Sequence, residues 1–546
     1  MKNYLLLAAL LIAFNINAQD GTFSGGLESN SQWYQDDDGI LNGVAPQDQF
    51  RSNNYLKLQY TQGKFTVGAQ YELYQPSPLL GYFEGFEGNG IATYFATFKH
   101  KDLEITAGNF YDQFGSGLIF RTWEDHTLGI DNSIRGIRVN YAFNDYLEAT
   151  GFIGNQRTGF ELSEGTVQGI NSEFDLGELL DTETGINIGA SYVGRYQVNT
   201  SADPDFPSTV NAYSMRGDLY FDKFNLQAEY VYKEPDAVIV GGTPLLGNYF
   251  DGRALLLNLG YSIPGLGINT TLRATENMGF FSDREQAGNP FLNQTINFVP
   301  GYTKQSSYMV RNIYVYNPQV FLNPDEEEAG EIGGQLDVVH TAKPGSLFGF
   351  KHGTTYSLNY SNWAGLDSSF DVPNNDYDAS LFSRGKKYFE EFSFQLNTKF
   401  SKALSAKFTA AQTYYNAKNI EGGNLLDGQS ELNGTAFVAD LLYDLGKGRS
   451  VRFDAQHLSA DADRGNWAAA TLEYAFNTSL SLYVADLYNY DDTEIHYYSV
   501  GGSYTKGRTR VALNYGRQRG GLICVGGVCR FVPENTGLTL NLTTNF

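Results

Sequence analysis

Short segments in which apolar and polar residues alternate recur along the whole sequence, and they constrain the fold more than any other feature. The last eleven residues, TGLTLNLTTNF, place three leucines on one face of an extended chain and Thr and Asn side chains on the other, because successive strand side chains point to opposite sides. The stretches GINTTLRAT, EFSFQLNTKF and SVRFDAQ alternate in the same way. Segments of about ten residues with this pattern are typical of transmembrane β-barrels, in which one face meets lipid and the other a polar interior.

The connections between these segments are of two kinds that follow each other in turn. About eleven are short, such as the turn around Lys447, and those between them are longer or more polar, such as residues 35–51 with the run DDDG. Bacterial outer-membrane barrels have short periplasmic turns and longer extracellular loops. The sequence therefore predicts an all-β fold, a transmembrane antiparallel β-barrel of about 24 strands (range about 22–26) with inward-folded loop segments. Both termini are expected in the periplasm.

The C-terminal segment is predicted to close this barrel. Pairing of residues 536–546 with residues 21–33 leaves no unpaired strand edge in lipid, where unsatisfied backbone groups are costly. Leu542 and the terminal Phe546 resemble the C-terminal signal that outer-membrane barrels present to the barrel assembly machinery. The edge of a soluble β-sandwich is the alternative. The expected partners are thus the lipid bilayer, lipopolysaccharide and the assembly machinery.

The N-terminal segment MKNYLLLAALLIAFNINAQD has a charged start, a short apolar run and small residues near Ala18, which is the pattern of a secretory signal peptide. We expect a signal peptide over residues 1–18 and one barrel domain over residues 19–546. No later segment has the length of an apolar transmembrane helix. The net charge of −23 argues against nucleic acid as a partner, because phosphates would be repelled.

The stretch from Gly108 to Gly136, GNFYDQFGSGLIFRTWEDHTLGIDNSIRG, resembles the signature segment of a Bacteroidota outer-membrane β-barrel family of unknown function. The resemblance extends over essentially the whole mature chain. It implies an outer-membrane location and no established reaction. The sequence differs from TonB-dependent receptors of that phylum, since no plug domain precedes the first alternating segment.

Residues 111–133 combine glycines, aromatic residues and charges of both signs, and we expect them to fold into the lumen as a plug. An exposed loop rarely needs so many large apolar residues together. A compact loop that caps its own barrel rim is the alternative. The plug candidates are Phe114, Leu118, Phe120, Arg121, Trp123, Glu124, Asp125 and Asp131, with Arg138 on the lumen face of the next strand.

A second insertion, residues 278–328, contains the strand-like piece YMVRNIYVYNPQVF and the acidic run of residues 325–328. If the strand-like piece joined the wall, a partner strand would be needed, and none is evident. The acidic run is expected to be a solvated face, with calcium or lipopolysaccharide-bridging cations as the alternative. The Asp clusters elsewhere lack the ligand spacing of a calcium loop.

Cys524 and Cys529 are the only cysteines, in GLICVGGVCR. A two-residue turn at Gly526 and Gly527 would place them opposite each other at the tip of an extracellular hairpin. That separation suits a disulfide, which an exported protein can form. A reduced pair without function is the alternative.

The sequence predicts no enzyme, catalytic residue, cofactor or metal ligand set. The six His residues are scattered, His126 beside two acidic residues is expected to be a salt-bridged surface group, and no G-x-S-x-G elbow occurs. The leading hypothesis is a porin-like, plugged or regulated channel. The alternative is a sealed barrel that serves as a structural or interaction subunit of an outer-membrane assembly or secretion complex.

Overall fold

A computed structural model describes residues 21–240, 242–284, 294–371, 374–422 and 429–546. The predicted signal peptide lies outside the described residues. No helix within the described part of the chain is both long and apolar enough to cross a membrane.

The architecture is a single sheet of 24 antiparallel strands. The strands of the first half of the wall are β1 (Gly21–Gln35), β2 (Phe50–Gln62), β3 (Phe65–Tyr74), β4 (Gly88–His100), β5 (Leu103–Phe110), β6 (Ile134–Asn144), β7 (Leu147–Thr158), β8 (Glu161–Asp175), β9 (Gly185–Tyr196), β10 (Thr209–Phe221), β11 (Phe224–Val240) and β12 (Thr243–Ile263). Those of the second half are β13 (Leu266–Glu276), β14 (Gly330–Ala342), β15 (Thr354–Gly365), β16 (Lys387–Lys399), β17 (Leu404–Asn416), β18 (Glu431–Gly446), β19 (Arg449–Ala460), β20 (Trp467–Ala475), β21 (Leu480–Asn489), β22 (His496–Lys506), β23 (Thr509–Gln518) and β24 (Asn535–Asn545).

The sheet closes on itself between its first and last strands. β1 pairs with β2 on one side and with β24 on the other, in a register that places Gly26 opposite Asn545 and Gln35 opposite Thr536. Two reciprocal backbone hydrogen bonds of 3.0 Å join Gly25 and Phe546 at the end of this ladder. The predicted closed barrel of about 24 strands is confirmed, and its last strand pairs as expected.

The two ends of the barrel differ in their connections. At one end the connections are turns of two to four residues, except for residues 176–184 and 343–353. We call this the short-turn end, and both described chain ends lie there. At the opposite, long-loop end most connections are longer, but β7–β8 and β11–β12 are joined by only two residues each. The alternation of short and long connections expected from the sequence is therefore wrong at these two places. At the connection between β11 and β12 the strands themselves are long, with 17 and 21 residues.

Apolar and polar side chains lie on different faces of the wall, because successive side chains of a strand point to opposite sides. The outer face exposes large apolar residues around the whole wall, among them Phe65, Ile170, Met215, Phe392 and Leu513. The lumen face carries polar and charged residues, many of them buried, such as Glu72, Arg157 and Glu391. A surface of this kind fits lipid outside and water or polar protein inside.

Three segments from the long-loop end fill the lumen there. They are residues 111–133 between β5 and β6 (the first insertion), the described residues 278–284 and 294–328 between β13 and β14 (the second insertion), and the cysteine hairpin Gly521–Val525 and Val528–Val532. Among the described residues of the second insertion, none joins the wall. The strand-like piece forms only a short 3₁₀ helix, Met309–Asn312, and its three tyrosines, Tyr308, Tyr314 and Tyr316, are buried inside the barrel.

Candidate functional site

The first insertion folds into two small hairpins. Gln113–Phe114 pairs with Phe120–Arg121, and Glu124–Asp125 pairs with Ile130–Asp131. The turn of the second hairpin needs Gly129, which has a φ of 68° and lies so close to Tyr82 that a Cβ atom would be 2.6 Å from its ring. A glycine is required there because L side chains rarely adopt such a φ.

The large apolar side chains of the first hairpin are fully buried. Phe114, Leu118, Ile119 and Phe120 are each at most 1% exposed, and the Phe120 ring stacks on Phe152 of β7 with centroids 4.5 Å apart. They share one core with lumen-facing valines of the wall. The structure thus places the predicted apolar plug candidates inside the barrel, against its wall.

Arg121 and Trp123 contact the second insertion. The Arg121 guanidinium lies 4.0 Å from the centroid of Phe298, and the Trp123 ring meets the same phenyl edge to face at 5.5 Å. Two backbone hydrogen bonds of 2.9 Å, Arg121 N–H to Ile296 and Phe298 N–H to Gly117, join the two segments. Arg121, a predicted plug candidate, is thus held by an aromatic ring of the second insertion.

The second hairpin of the first insertion is held by charged groups. The ring nitrogens of His126 lie 2.9 Å from Glu28 of β1 and 2.7 Å from Glu124. Its ring stacks on Tyr55 of β2 at 3.6 Å. Lys57 of β2 forms a second ion pair with Glu124. His126, predicted to be a surface group, is instead a bridge between the insertion and the wall.

This arrangement shifts the pKa values of the insertion's own groups. Burial alone would lower the pKa of His126, but the hydrogen bonds with Glu124 and Glu28 outweigh it and raise the pKa to about 9. Burial would raise the pKa of Glu124, but the hydrogen bond with His126, followed by Lys57, lowers it to about 2. At neutral pH the imidazolium is therefore charged and bridges two carboxylates.

Arg157 of β7 completes the attachment of the second hairpin. Its fully buried guanidinium reaches Glu72 of β3 at 2.5 Å and also pairs with Asp131. Carboxylate oxygens of Glu72, Glu124 and Asp131 lie within 4.8 Å of one another, a spacing that a metal ion could bridge. Arg157, Lys57 and His126 already supply positive charge at this cluster, so the chain needs no metal to neutralise it.

The remaining plug candidates have local roles. Arg138 of β6 donates to Asp112 at 2.6 Å and to Glu104 of β5 at 3.1 Å, which ties the start of the insertion to the wall. The Asp125 carboxylate accepts the Leu128 N–H at 2.9 Å and so shapes the turn.

The second insertion contacts strands from β7 to β18; at β7, the side chain of Gln156 donates to the Thr295 carbonyl at 2.8 Å. Near β13 and β14, Pro300 accepts from Arg273, and Tyr316 donates to Glu331. Further round the wall, Arg311 pairs with Glu391 of β16 at 2.7 Å, and Tyr308 donates to Asp440 of β18 at 2.9 Å. The last two contacts could not be predicted from the sequence, because each joins residues far apart in the chain.

The acidic run of the second insertion is only partly solvated. Asp325 and Glu327 are exposed, but Glu328 is buried. Burial raises the pKa of Glu328 to about 7, although the amide of Asn419 donates to its carboxylate at 2.6 Å. The expectation of a wholly solvated face is wrong for Glu328, because a bridge between Asn323 and Glu328 turns this residue inward.

The cysteine hairpin packs between both insertions instead of forming a free tip. Cys524 lies opposite Cys529, and a disulfide joins them. Val528 packs with Leu128 of the first insertion, and the Gly301 N–H donates to Gly527 at 2.7 Å.

Below the insertions, towards the short-turn end, the lumen contains two open cavities. One of about 730 Å³ is lined by polar wall residues such as Lys57 and Glu104 and by Tyr111. The other, of about 860 Å³, is lined by Glu173, Arg216 and other polar residues, and by Gln113, Gly115 and Ser116 of the first insertion. The first insertion therefore lies where both cavities end.

A closed barrel with an apolar exterior, a polar wall inside and lumen-filling segments defines a transmembrane β-barrel protein. Within that class, the chain belongs to a family of unknown function, DUF6029, whose model matches residues 1–546. No curated protein matches the sequence significantly.

Several solved structures are similar to the chain at low sequence identity, with TM-scores below 0.5. The translocation pore of the P pilus usher PapC has a TM-score of 0.42 at 10% identity, with 96% of this chain and 99% of that chain covered. The siderophore receptor PirA from Pseudomonas aeruginosa also has a TM-score of 0.42 at 10% identity, with 96% and 80% covered. For OccAB3 from Acinetobacter baumannii the TM-score is 0.36 at 12% identity, with 97% and 99% covered.

Proposed function

We propose that this protein is a channel of the bacterial outer membrane that the first insertion keeps closed. The observation that carries the proposal is the position of this segment at the end of both polar cavities. A barrel of 24 strands encloses more width than its own wall side chains fill, since barrels of about 16–18 strands already contain an aqueous channel. The proposal assigns the protein no catalytic reaction.

The attachment of the first insertion supports a movable plug. Its second hairpin is joined to the wall by side-chain ion pairs and hydrogen bonds of Lys57, His126 and Arg157. Such contacts can be exchanged for water or for charged groups of a solute, whereas a continuous strand ladder cannot be released without opening the wall.

Single-channel conductance in a planar bilayer tests the proposal. A variant in which a Gly-Ser linker replaces residues 114–127 is expected to conduct several-fold more than wild type. A matched control replaces residues 490–494, an exposed connection between β21 and β22, and is expected to leave conductance unchanged. Heat-modifiable migration shows that each variant has folded. A folded linker variant with wild-type conductance would count against the channel.

The second candidate function is a sealed barrel that acts as a subunit of an outer-membrane assembly or secretion complex. It is favoured by the second insertion, whose hydrogen bonds reach both β7 and β18, far apart in the 24-stranded wall. An unchanged conductance of the linker variant, together with a stoichiometric protein that copurifies from outer membranes, would support this alternative.

We also propose that both termini face the periplasm, as the short-turn end does in outer-membrane barrels. A cysteine in place of Asp492, at the long-loop end, should react with a membrane-impermeant maleimide on whole cells. A cysteine in place of Lys447, in a short turn, should not. The reverse result would invert the orientation.

A further inference from the structure

The connection of residues 343–353, between β14 and β15, exposes a cluster of large apolar side chains at the short-turn end. Leu347, Phe348 and Phe350 are 86%, 65% and 53% exposed. Hydrogen bonds nevertheless define the shape of the connection: Gly345 N–H donates to Phe350 at 2.5 Å and Gly349 N–H to Ser346 at 3.1 Å. The apolar side chains are thus presented to the surroundings by an ordered backbone.

The connection leans towards the outside of the barrel. The Tyr356 hydroxyl donates to the Phe348 carbonyl at 2.6 Å. Tyr356 lies on the outward face of β15, because it shares the face of Tyr360 and its ring lies 6.3 Å from that of Phe394. Since this face meets lipid, the connection lies beside the membrane and not over the lumen.

The surroundings of the connection are basic, although the whole chain has a net charge of −23. Residues 338–366 and 392–420, which include the short-turn ends of β14 to β17, contain no Asp or Glu. Lys343 and Lys351 flank the apolar cluster, and Lys399 and Lys402 are exposed near the turn that follows β16. Phe400 in that turn is also exposed.

We propose that Lys343, Leu347, Phe348, Phe350 and Lys351, together the interfacial patch, bind acidic phospholipid headgroups of the leaflet at the short-turn end. Aromatic and aliphatic side chains at this depth enter the headgroup and acyl-chain boundary, while lysines reach phosphates. Clustered lysines beside a membrane favour anionic over zwitterionic lipids. The proposal is independent of whether the barrel conducts.

Lipid fits this surface better than a protein partner does. The apolar part of the patch consists of three side chains, whereas a stable protein interface buries about 800 Å² on each partner. The hydrogen bond from outward-facing Tyr356 also holds the patch on the lipid side of the wall. The patch therefore lies beside lipid whichever end of the barrel faces the periplasm.

Native mass spectrometry of the detergent-solubilised full-length barrel, with phosphatidylglycerol or phosphatidylethanolamine added, tests the proposal. Wild type is expected to bind phosphatidylglycerol about tenfold more tightly. The double variant Lys343→Gln/Lys351→Gln should lose most of this preference. The triple variant Leu347→Ser/Phe348→Ser/Phe350→Ser should bind both lipids weakly. The control Lys447→Gln/Arg449→Gln, which removes two charges from another short turn, should behave as wild type.

Three results would overturn the proposal. The first is an unchanged lipid preference in the double variant. The second is displacement of phosphatidylglycerol by inorganic phosphate at constant ionic strength, which would indicate a site for free anions. The third is a protein that copurifies with wild type but not with the triple variant, provided that the triple variant keeps the lipid preference of wild type. Heat-modifiable migration confirms that each variant is folded.

Discussion

The two hairpins of the first insertion occupy the same lumen but are held there by different forces. The first, around Phe114 and Phe120, is buried in an apolar core that it shares with wall residues. The second, around His126 and Asp131, is held by ion pairs with Glu28, Lys57 and Arg157. Apolar burial is non-directional and insensitive to pH, whereas a buried ion pair depends on each partner and its protonation. We therefore expect the second hairpin to be released first.

The largest effect should come from Phe120→Ala in the apolar hairpin. The change removes a ring that is fully buried and stacked on Phe152, and we expect a loss of about 4 kcal/mol in the opening free energy of residues 112–122. Amide hydrogen exchange in detergent micelles measures this energy for each hairpin. The control Phe392→Ala removes an outward, exposed ring and should leave exchange in the lumen unchanged. Equal effects of both variants would contradict the inward position of Phe120.

A slightly smaller effect is expected from Arg157→Met in the ionic hairpin. Without the guanidinium, Glu72 and Asp131 are left buried without their cation, which costs about 3 kcal/mol. Exchange should accelerate in residues 123–133 more than in residues 112–122. Arg449→Met, at an exposed position, is the control. If both hairpins open equally, the insertion moves as one unit and the comparison between them fails.

A pH titration of wild type should separate the two hairpins further. The pKa of His126 is raised from 6.5 to about 9, so its contribution to docking is complete below pH 6.5 and is lost as the pH rises through 9. The opening free energy of the second hairpin should fall by about 2.5 kcal/mol over this range, and that of the first hairpin should stay constant.

The variant His126→Gln provides the check on this titration. It carries no titrating group at the bridge between Glu28 and Glu124. In this variant the opening free energy of the second hairpin should be lower than in wild type at pH 6, and it should not change between pH 6.5 and 9. A slope that persists in the variant would assign the pH dependence to another group.

The smallest effect is expected from Cys524→Ser/Cys529→Ser in the hairpin that packs on both insertions. The loop between the two cysteines is short and the strands are already paired, so the global stability should change by about 1 kcal/mol or less. Intact-mass measurement after alkylation, with and without reductant, shows whether the cysteines are bonded in the membrane. Two free thiols in fresh outer membranes would refute the predicted disulfide.

Much of the wall could be predicted from sequence, because its signal is local. A strand exposes lipid-facing side chains at every second position, so the alternation in residues such as Leu538 and Leu540 identifies both the strand and its outward face. The number of short turns then gives the number of strands. The two-residue connection between β11 and β12 was not predicted from the sequence. These two strands continue beyond the barrel rim as one hairpin, so no change in the sequence pattern marks the point where the wall ends.

The contacts of the candidate site could be predicted only in part. The composition of residues 111–133 indicated that they fold inward, and Arg138 was assigned to the lumen face. An ion pair of His126 with a neighbouring carboxylate was expected, and Glu124 provides it. Its wall partner was not predictable, because Glu28 is 98 residues away and the sequence around either residue gives no sign of the other. The same holds for Arg311 and Glu391, which join the second insertion to β16.

The sequence by itself determined which side chains face lipid, where the strands turn and which segments are too apolar to stay in water, because each of these follows from the spacing of neighbouring residues. Only the tertiary structure decided which charges meet. Closure of 24 strands brings β1, β2, β3 and β7 to one side of the lumen, and that arrangement gives His126 and Arg157 their carboxylates. Pairing between charges depends on distance in space, and in a barrel that distance is set by the whole wall.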